Sequence, residues 1–214
     1  RDRIRLGSPV STIRRTPGGI MVQPEGGEAE RFDRVFVACH SDQALAMLED
    51  PTPQERDVLG AIGYQKNEAV LHTDTSLMPR RRRAWAAWNY NIPRDPDSTD
   101  GRVTLTYNMN ILQSLDAGRE YCVTLNNTDA IDPAKIIREF SYEHPIFTER
   151  AVAAQQRHRE INGARGTYYC GAYWRYGFHE DGVVSAIDAL RHFEEDPHES
   201  GFGNDAQRHL RRVG

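Results

Sequence analysis

The chain has 214 residues, of which 38% are hydrophobic and 27% charged, and its net charge is −4 at pH 7. This length corresponds to one or two domains, and the composition excludes collagen-like, low-complexity and wholly disordered proteins. The acidic balance gives no general attraction to nucleic acid, and the longest apolar run, at 35–39, is far shorter than the ~18 residues that a membrane-spanning helix needs.

The N-terminal residues and the cysteines indicate the cellular compartment in which the protein is expected. Residues 1–5 contain no apolar segment of the kind a secretory signal requires, and there is no initiator Met, so we expect a truncated or processed chain. Cys39, Cys122 and Cys170 are scattered and form no C-x-x-C pair, which indicates neither a disulfide framework nor a zinc site. We therefore expect a cytoplasmic protein.

The first forty residues predict three strands. Segments 10–14 and 20–23 flank a Thr-Pro-Gly-Gly turn and predict a β-hairpin. Segment 34–38 is a short unbroken apolar run, which is typical of a strand that is buried on both faces in a parallel sheet.

Helices and an antiparallel sheet follow. Ser41 is a candidate helix cap, and Thr52 and Glu55 are spaced as a capping box with Pro53 in the first helical position. The strand-like segments, several with alternating polarity, predict an antiparallel sheet: 69–73, 84–92, 103–109 and 121–125. Two further helices are predicted at 132–140 and 151–161.

The last part of the chain predicts a strand at 168–170 and a helix that begins at Gly182. The apolar positions of this helix lie at helical spacing: Val183, Ala186, Ile187, Leu190 and Phe193. From residue 197 the sequence becomes polar, and we expect a frayed tail or helix there.

The segment YYCGAYWRYGFHEDGVVSA, at 168–186, is the most informative for chemistry. A predicted strand leads through an aromatic, glycine-rich loop into a predicted helix. Without side chains at Gly177 and Gly182, a flat ring system can approach the backbone, and the free N–H groups of the helix favour an anion there. On spacing alone, a tightly packed corner between strand and helix is the alternative interpretation.

This segment resembles the C-terminal flavin-binding motif of the flavin-containing amine oxidoreductase superfamily. With Leu71-His-Thr-Asp74, Ala84-Trp-Ala-Ala-Trp-Asn-Tyr90 and His144-Pro145, it is similar to a bacterial subgroup of predicted NAD/FAD-binding proteins. Members of that subgroup are often associated with cyclopropane-fatty-acid synthase. The resemblance covers roughly residues 8–193.

The resemblance implies an α/β (α+β) fold, in which an incomplete FAD domain is joined to an antiparallel-sheet substrate domain. Residues 1–40 would form the β-meander and last strand of the FAD domain, 41–162 the substrate domain, 163–196 the return to the FAD domain, and 197–214 a polar tail. Segments 8–40 and 165–195 would then pack together. The chain would be the C-terminal part of the enzyme, because it lacks the N-terminal half of the FAD domain with the G-x-G-x-x-G turn that holds the pyrophosphate.

The implied function is that of an FAD-dependent, amine-oxidase-like oxidoreductase. It would transfer a hydride from a small molecule, either an amine or an apolar, fatty-acyl-type substrate, to the flavin. The residues that would contact the cofactor are Gly171, Tyr173, Trp174, Gly177, Phe178, His179, Glu180, Asp181, Gly182 and Val183. The acidic residue with which many relatives bind the ribityl chain is replaced here by Ala172 and Tyr173.

No catalytic residue and no metal ligand is assigned. His72 with Asp74, and His179 with its two acidic neighbours, lack further ligands at fitting spacing. The alternative function is a non-catalytic module that binds lipid or a partner through the middle sheet and Arg80 to Arg83.

Overall fold

A computed structural model describes residues 3–92 and 102–196, so the tail predicted at 197–214 lies outside the described residues. The chain divides into two compact units, one formed by Arg1–Tyr64 with Pro145–Gly214 and the other by Gln65–His144. The structure therefore groups residues 41–64 and 145–162 with the first unit, whereas the sequence assigned them to the substrate domain. Their apolar side chains, including Ala44, Leu59 and Ile161, lie in the core of that unit.

The strands, in chain order, are β1 (Val10–Thr16), β2 (Gly19–Pro24), β3 (Glu30–Phe32), β4 (Val35–Val37), β5 (Gly63–His72), β6 (Trp88–Asn91), β7 (Thr104–Asn108), β8 (Cys122–Leu125), β9 (Ile136–Ile146) and β10 (Thr167–Tyr169). The α-helices are α1 (Ser41–Met47), α2 (Pro53–Leu59), α3 (Met109–Leu112), α4 (Glu149–Gln155), α5 (His158–Ile161) and α6 (His179–Glu194). Among the helices of the described residues, none combines the length and apolar character that crossing a bilayer requires.

The first unit contains two small sheets. β1, β2 and β3 form an antiparallel sheet, which confirms the predicted hairpin. β4 and β10 pair in parallel, so segments 8–40 and 165–195 do pack together as expected. Gly19 is required at the hairpin turn, because its φ is +130° and a Cβ there would lie 2.9 Å from the carbonyl oxygen of Phe32.

The capping residues predicted from the sequence mark the start of α2 but not that of α1. The Thr52 hydroxyl accepts a bond from the Glu55 N–H, and the Glu55 carboxylate accepts one from the Thr52 N–H, so α2 begins at the predicted capping box. Ser41 is the first helical residue of α1 rather than its cap, and its N–H donates to the Tyr64 hydroxyl. The helix predicted at 151–161 is divided into α4 and α5.

A buried ionic group ties β1, α2 and β10 together. The Arg15 guanidinium donates to both Glu55 carboxylate oxygens, and the Tyr169 hydroxyl donates to Glu55 Oε1 at 2.6 Å. The side chains of Arg15 and Glu55 are almost fully buried. Burial disfavours the charged carboxylate, but these donors keep the pKa of Glu55 below its usual value.

The second unit is a five-stranded sheet with strand order β6-β7-β8-β5-β9, whose first four strands are antiparallel as predicted. The helix predicted at 132–140 is wrong. Asp132 accepts a bond from the Ala134 N–H and caps a single 3₁₀ turn, Pro133–Lys135, after which the chain enters β9. The β-branched and aromatic residues after this turn fit a pleated surface beside β5.

The two faces of this sheet differ in polarity. On one face the Thr106 and Thr124 hydroxyls are 2.9 Å apart, and Thr124 Oγ1 lies 2.7 Å from His72 Nε2. The Asp74 N–H donates to His72 Nδ1, so Nε2 carries the proton of the neutral ring, and burial lowers the pKa of His72. The opposite face presents Trp88 and Tyr90, which are both at least half exposed.

Candidate functional site

The predicted flavin segment lies beyond the carboxyl end of β10, where parallel strands commonly place a ligand. Gly171 leaves the strand in extended conformation, and a Cβ there would clash with the ring of Tyr173. A short 3₁₀ turn, Ala172–Trp174, then leads to Gly177, whose φ of +89° is in the left-handed region. The turn therefore depends on both glycines.

The aromatic side chains of this turn point into the protein. Tyr173 and Trp174 are both buried in the core of the first unit, and the Trp174 ring lies 4.1 Å from that of His158. Gln155 of α4 holds the turn by donating to the carbonyl oxygens of Tyr173 and Arg175. A contact of Tyr173 or Trp174 with flavin stays a prediction, and burial limits it largely to their backbone atoms.

The helix begins three residues earlier than predicted, at His179 rather than at Gly182. The Gly182 N–H already donates to the Phe178 carbonyl oxygen, as the first intrahelical bond. The N–H groups without an intrahelical acceptor are therefore those of His179, Glu180 and Asp181, not those of Gly182 and Val183.

Asp181 fixes the approach to the helix. Its side chain is buried, and its Oδ2 accepts bonds from the N–H of Tyr176 at 3.2 Å and of Phe178 at 2.9 Å. The carboxylate thus bonds the preceding loop. By contrast Gly177, Phe178, His179, Glu180 and Val183 are all exposed.

Gly182 is half-buried, yet the described residues leave room for a side chain there. A Cβ at this position would have Ala172 as its nearest neighbour, at 3.9 Å, which is ordinary van der Waals contact. The backbone at Gly182 is helical, so the conformation does not require glycine. Glycine inside a helix is less stable than alanine by roughly 0.5–1 kcal/mol. The space beside the Gly182 Cα, which we call the cradle, would be filled by a Cβ. Such a space fits a flat ring that approaches the backbone of the helix.

Ser185, which the sequence did not single out, joins the helix to the end of β10. Its hydroxyl accepts from the Gly171 N–H and donates to the Gly182 carbonyl oxygen, both at 2.8 Å. This pair of bonds fixes the glycine of the strand end against the glycine of the helix. A serine in a predicted amphipathic helix gives no signal of such a role.

A cavity of about 620 Å³ lies behind the turn, between α4, α5 and α6. Of the predicted site residues only Trp174 lines it, together with His158, Ser185 and His192 among others. His158 Nε2 lies 2.6 Å from the Tyr169 carbonyl oxygen, and burial lowers the pKa of His158 to about 4. His158 is therefore neutral near pH 7 and donates from Nε2.

The candidate metal pair of His72 and Asp74 is occupied by protein contacts. Asp74 accepts bonds from the N–H groups of Ser76 and Asp132 and from Lys135 Nζ. Burial raises the pKa of Asp74, but these donors outweigh it and hold the pKa well below its usual value. Among the described residues no group of three or more His, Cys, Asp or Glu is arranged to hold a metal ion.

Comparison of the fold with solved structures gives several matches with TM-scores of 0.55–0.60. The fatty acid isomerase from P. acnes that produces CLA is 14% identical, with 87% of this chain and 47% of that chain covered at a TM-score of 0.60. Reduced UDP-galactopyranose mutase is 13% identical, with 87% and 46% covered at 0.60. Cyclohexylamine oxidase from Brevibacterium oxydans IH-35A is 12% identical, with 91% and 50% covered at 0.55.

The chain has a mixed helix and sheet fold that is similar to part of each of these solved structures. It spans about half the length of the solved structures that it matches. At these identities the similarity establishes the fold alone. No protein-family model and no curated protein sequence matches the chain.

Proposed function

We propose that the chain is the C-terminal part of an FAD-dependent, amine-oxidase-like oxidoreductase, and that residues 177–183 hold the flavin ring. The observation that carries this proposal is the open cradle at Gly182, where neither packing nor backbone conformation requires glycine. The fold supports it, because this turn follows a parallel strand at its carboxyl end.

The residues of the turn have a defined part in the chemistry. A bound flavin supplies the hydride acceptor, and its reduced ring carries negative charge at the N1–C2=O edge. The N–H groups of His179, Glu180 and Asp181, with the helix dipole, favour negative charge by up to ~2 kcal/mol in a partly buried site. Because the Asp181 carboxylate accepts bonds from the N–H groups of Tyr176 and Phe178, part of its own negative charge is compensated within the loop.

The substrate is proposed to be a small molecule, either an amine or an apolar, fatty-acyl-type compound. Two of the solved structures with this fold are named as a fatty acid isomerase and as a cyclohexylamine oxidase, which is compatible with both classes. A cytoplasmic location and a functional link to cyclopropane-fatty-acid synthase stay predictions from the sequence.

The flavin proposal is tested in the protein translated from the complete reading frame. Flavin content is measured by absorbance after purification, and the midpoint potential by reductive titration. Gly182→Val is expected to lower the flavin content, because its branched side chain fills the cradle. Arg191→Val, at an exposed position near the other end of α6, controls for a branched residue in the same helix. Equal flavin content and potential in Gly182→Val and the unmodified protein would refute the placement.

The alternative function, a non-catalytic module that binds lipid or a partner, rests on the second unit. Trp88 and Tyr90 present apolar surface, and Arg82 pairs with Glu120 and lies over the Trp85 ring at 5.1 Å. Sedimentation with phosphatidylserine vesicles tests it, with Trp88→Ser and Arg81→Ser as variants. Binding that both variants weaken would favour the lipid-binding module, and the absence of binding would remove the lipid-binding part of this alternative.

A further inference from the structure

The cavity between α4, α5 and α6 has the size of a ligand site and is largely separate from the predicted flavin contacts. Its volume of about 620 Å³ lies within the range of roughly 300–1,000 Å³ that is common for small-molecule sites. It shares Trp174 alone with the predicted flavin contacts. All of its lining residues belong to the first unit, so the cavity is a feature of that unit.

The lining of the cavity carries one positive charge that no described residue neutralises. Arg159 Nη1 lies 2.7 Å from Glu195 Oε2, so this charge is paired. Asp188 Oδ1 is likewise paired with Arg191 Nη1, at 3.0 Å. The third charged lining residue, Arg175, is exposed, and among the described residues no carboxylate pairs with its guanidinium. A ligand with a single negative charge would therefore complete the charge balance.

The two histidines of the cavity add no further charge. Burial lowers the pKa of His158 to about 4 and holds the pKa of His192 below its ordinary value, so both rings are neutral near pH 7. The Asn162 side-chain oxygen accepts the Tyr169 N–H, and the amide nitrogen lies 3.1 Å from His192 Nδ1. His192 Nδ1 is therefore an acceptor, and its Nε2 carries the proton.

The backbone that carries Arg175 is held from both sides. Gln155 of α4 donates to the Arg175 carbonyl oxygen at 2.7 Å. The N–H of the next residue, Tyr176, donates to the Asp181 carboxylate of α6 at 3.2 Å. A group on a fixed backbone loses less conformational freedom when it binds a ligand, so Arg175 is partly positioned for an anion in advance.

Apolar side chains form another part of the lining. Phe147, Val152 and Tyr176 are 42%, 47% and 79% exposed. A ligand that covers these side chains removes their apolar surface from water, which favours binding. A small inorganic anion would leave them exposed, whereas an acid with an apolar body fits both the charge and the apolar lining.

We propose that this cavity is a second ligand site, which binds a small monocarboxylate with an apolar body. The carboxylate would pair with Arg175, because a guanidinium can donate to both carboxylate oxygens at once. The apolar body would cover Phe147 and Val152. The inference goes beyond the proposed function, since binding at this site requires neither flavin nor a reaction.

Octanoate is the probe for the test, and its binding to the protein translated from the complete reading frame is measured by isothermal titration calorimetry. Octanol, which has the same apolar chain without the charge, is titrated in parallel. Arg175→Gln removes the cation, and Val152→Asp places a negative charge on α4, in another part of the lining. Arg56→Gln is the matched control, because Arg56 is also exposed in the first unit but does not line the cavity.

Both cavity variants are expected to weaken octanoate binding at least about tenfold, since each opposes the carboxylate or removes its charged donor. Arg56→Gln is expected to leave the dissociation constant unchanged. Octanol is expected to bind at least about tenfold more weakly than octanoate, because it cannot form the charged pair.

Four results would overturn the proposal. Octanoate that shows no saturable binding up to about 5 mM would remove the site, and octanol that binds as tightly would remove the role of the charge. Equal weakening by Arg56→Gln would show a general effect of the net charge. A loss with Arg175→Gln alone would place the acid at the flavin turn instead of in the cavity.

Discussion

Substitution of Gly182 by alanine tests whether the fold requires glycine at this position or whether only a bound ligand would require it. The added Cβ would lie 3.9 Å from the nearest atom of Ala172, so it is accommodated without movement. The backbone at Gly182 is already helical, so alanine adopts it without strain. Alanine also has less conformational entropy to lose than glycine.

We expect Gly182→Ala to stabilise this chain by about 0.5–1 kcal/mol, the difference between the two residues inside a helix. For a chain of this size that corresponds to a rise in melting temperature of roughly 2–4 °C per kcal/mol. Urea unfolding followed by circular dichroism gives the free energy of unfolding, and an unchanged m-value shows that the same transition is compared.

Gly163→Ala is the matched control for this prediction. Its Cβ would also have space, since the nearest atom is Asp196 Oδ2 at 3.5 Å, but its φ is +86°. Alanine in the left-handed region costs about 1–2 kcal/mol, so the same substitution is expected to have the opposite sign. A loss of stability in Gly182→Ala would show that the fold itself needs this glycine, and the argument for a ligand at the cradle would fail.

Three further predictions concern the groups that hold the first unit together. Glu55→Gln is expected to destabilise the chain by about 3 kcal/mol, because it leaves buried Arg15 with Asp50 as the one remaining carboxylate partner among the described residues. Tyr169→Phe is expected to cost about 1 kcal/mol, and equal losses in urea unfolding would contradict this. Asp181→Ala is expected to cost about 2 kcal/mol and to speed amide exchange at Tyr176 and Phe178, while Asp181→Asn, which keeps one acceptor oxygen, costs less. Burial lowers the pKa of His158 to about 4, so the unfolded chain binds more protons at this residue below its ordinary pKa near 6.5, and stability falls as the pH falls from about 6.5 to 4. His158→Gln is expected to flatten that part of the pH profile, and an unchanged slope would refute the assignment.

Elements that are determined by residues close together in the sequence could be predicted from the sequence. The Thr52–Glu55 pair satisfies both ends of its own capping box, and the glycine turn of the β1–β2 hairpin accommodates the φ of +130° at Gly19. In both cases the residues that give the pattern are also the residues that make the bonds. No distant part of the chain is needed to decide the outcome.

Elements decided by distant partners were predicted less well. The segment after Pro133 has apolar residues that fit either a helix or a strand, and its place beside β5 makes it a strand. The apolar positions that follow Gly182 predict a helix start at this glycine, although α6 begins at His179. The sequence also gave no signal that the side chains of Tyr173 and Trp174 lie in the core of the first unit, and their contact with flavin stays a prediction.

The apolar pattern of α6 shows why the sequence of a helix does not by itself reveal which of its apolar side chains face the core. The pattern predicts one apolar face from Val183 to Phe193. In the structure Ala186 and Phe193 pack on the β4–β10 pair, whereas three other side chains of the pattern are exposed: Val183, Ile187 and Leu190. The residues most deeply buried on the helix include two polar ones, Asp181 and Ser185, because they bond the loop and the end of β10. The apolar positions in the sequence of a helix do not show which element each of them packs against, nor whether that element belongs to the same unit. Polar side chains are expected on the side of a helix that faces only solvent, so packing within the described residues does not explain why these exposed side chains of α6 are apolar.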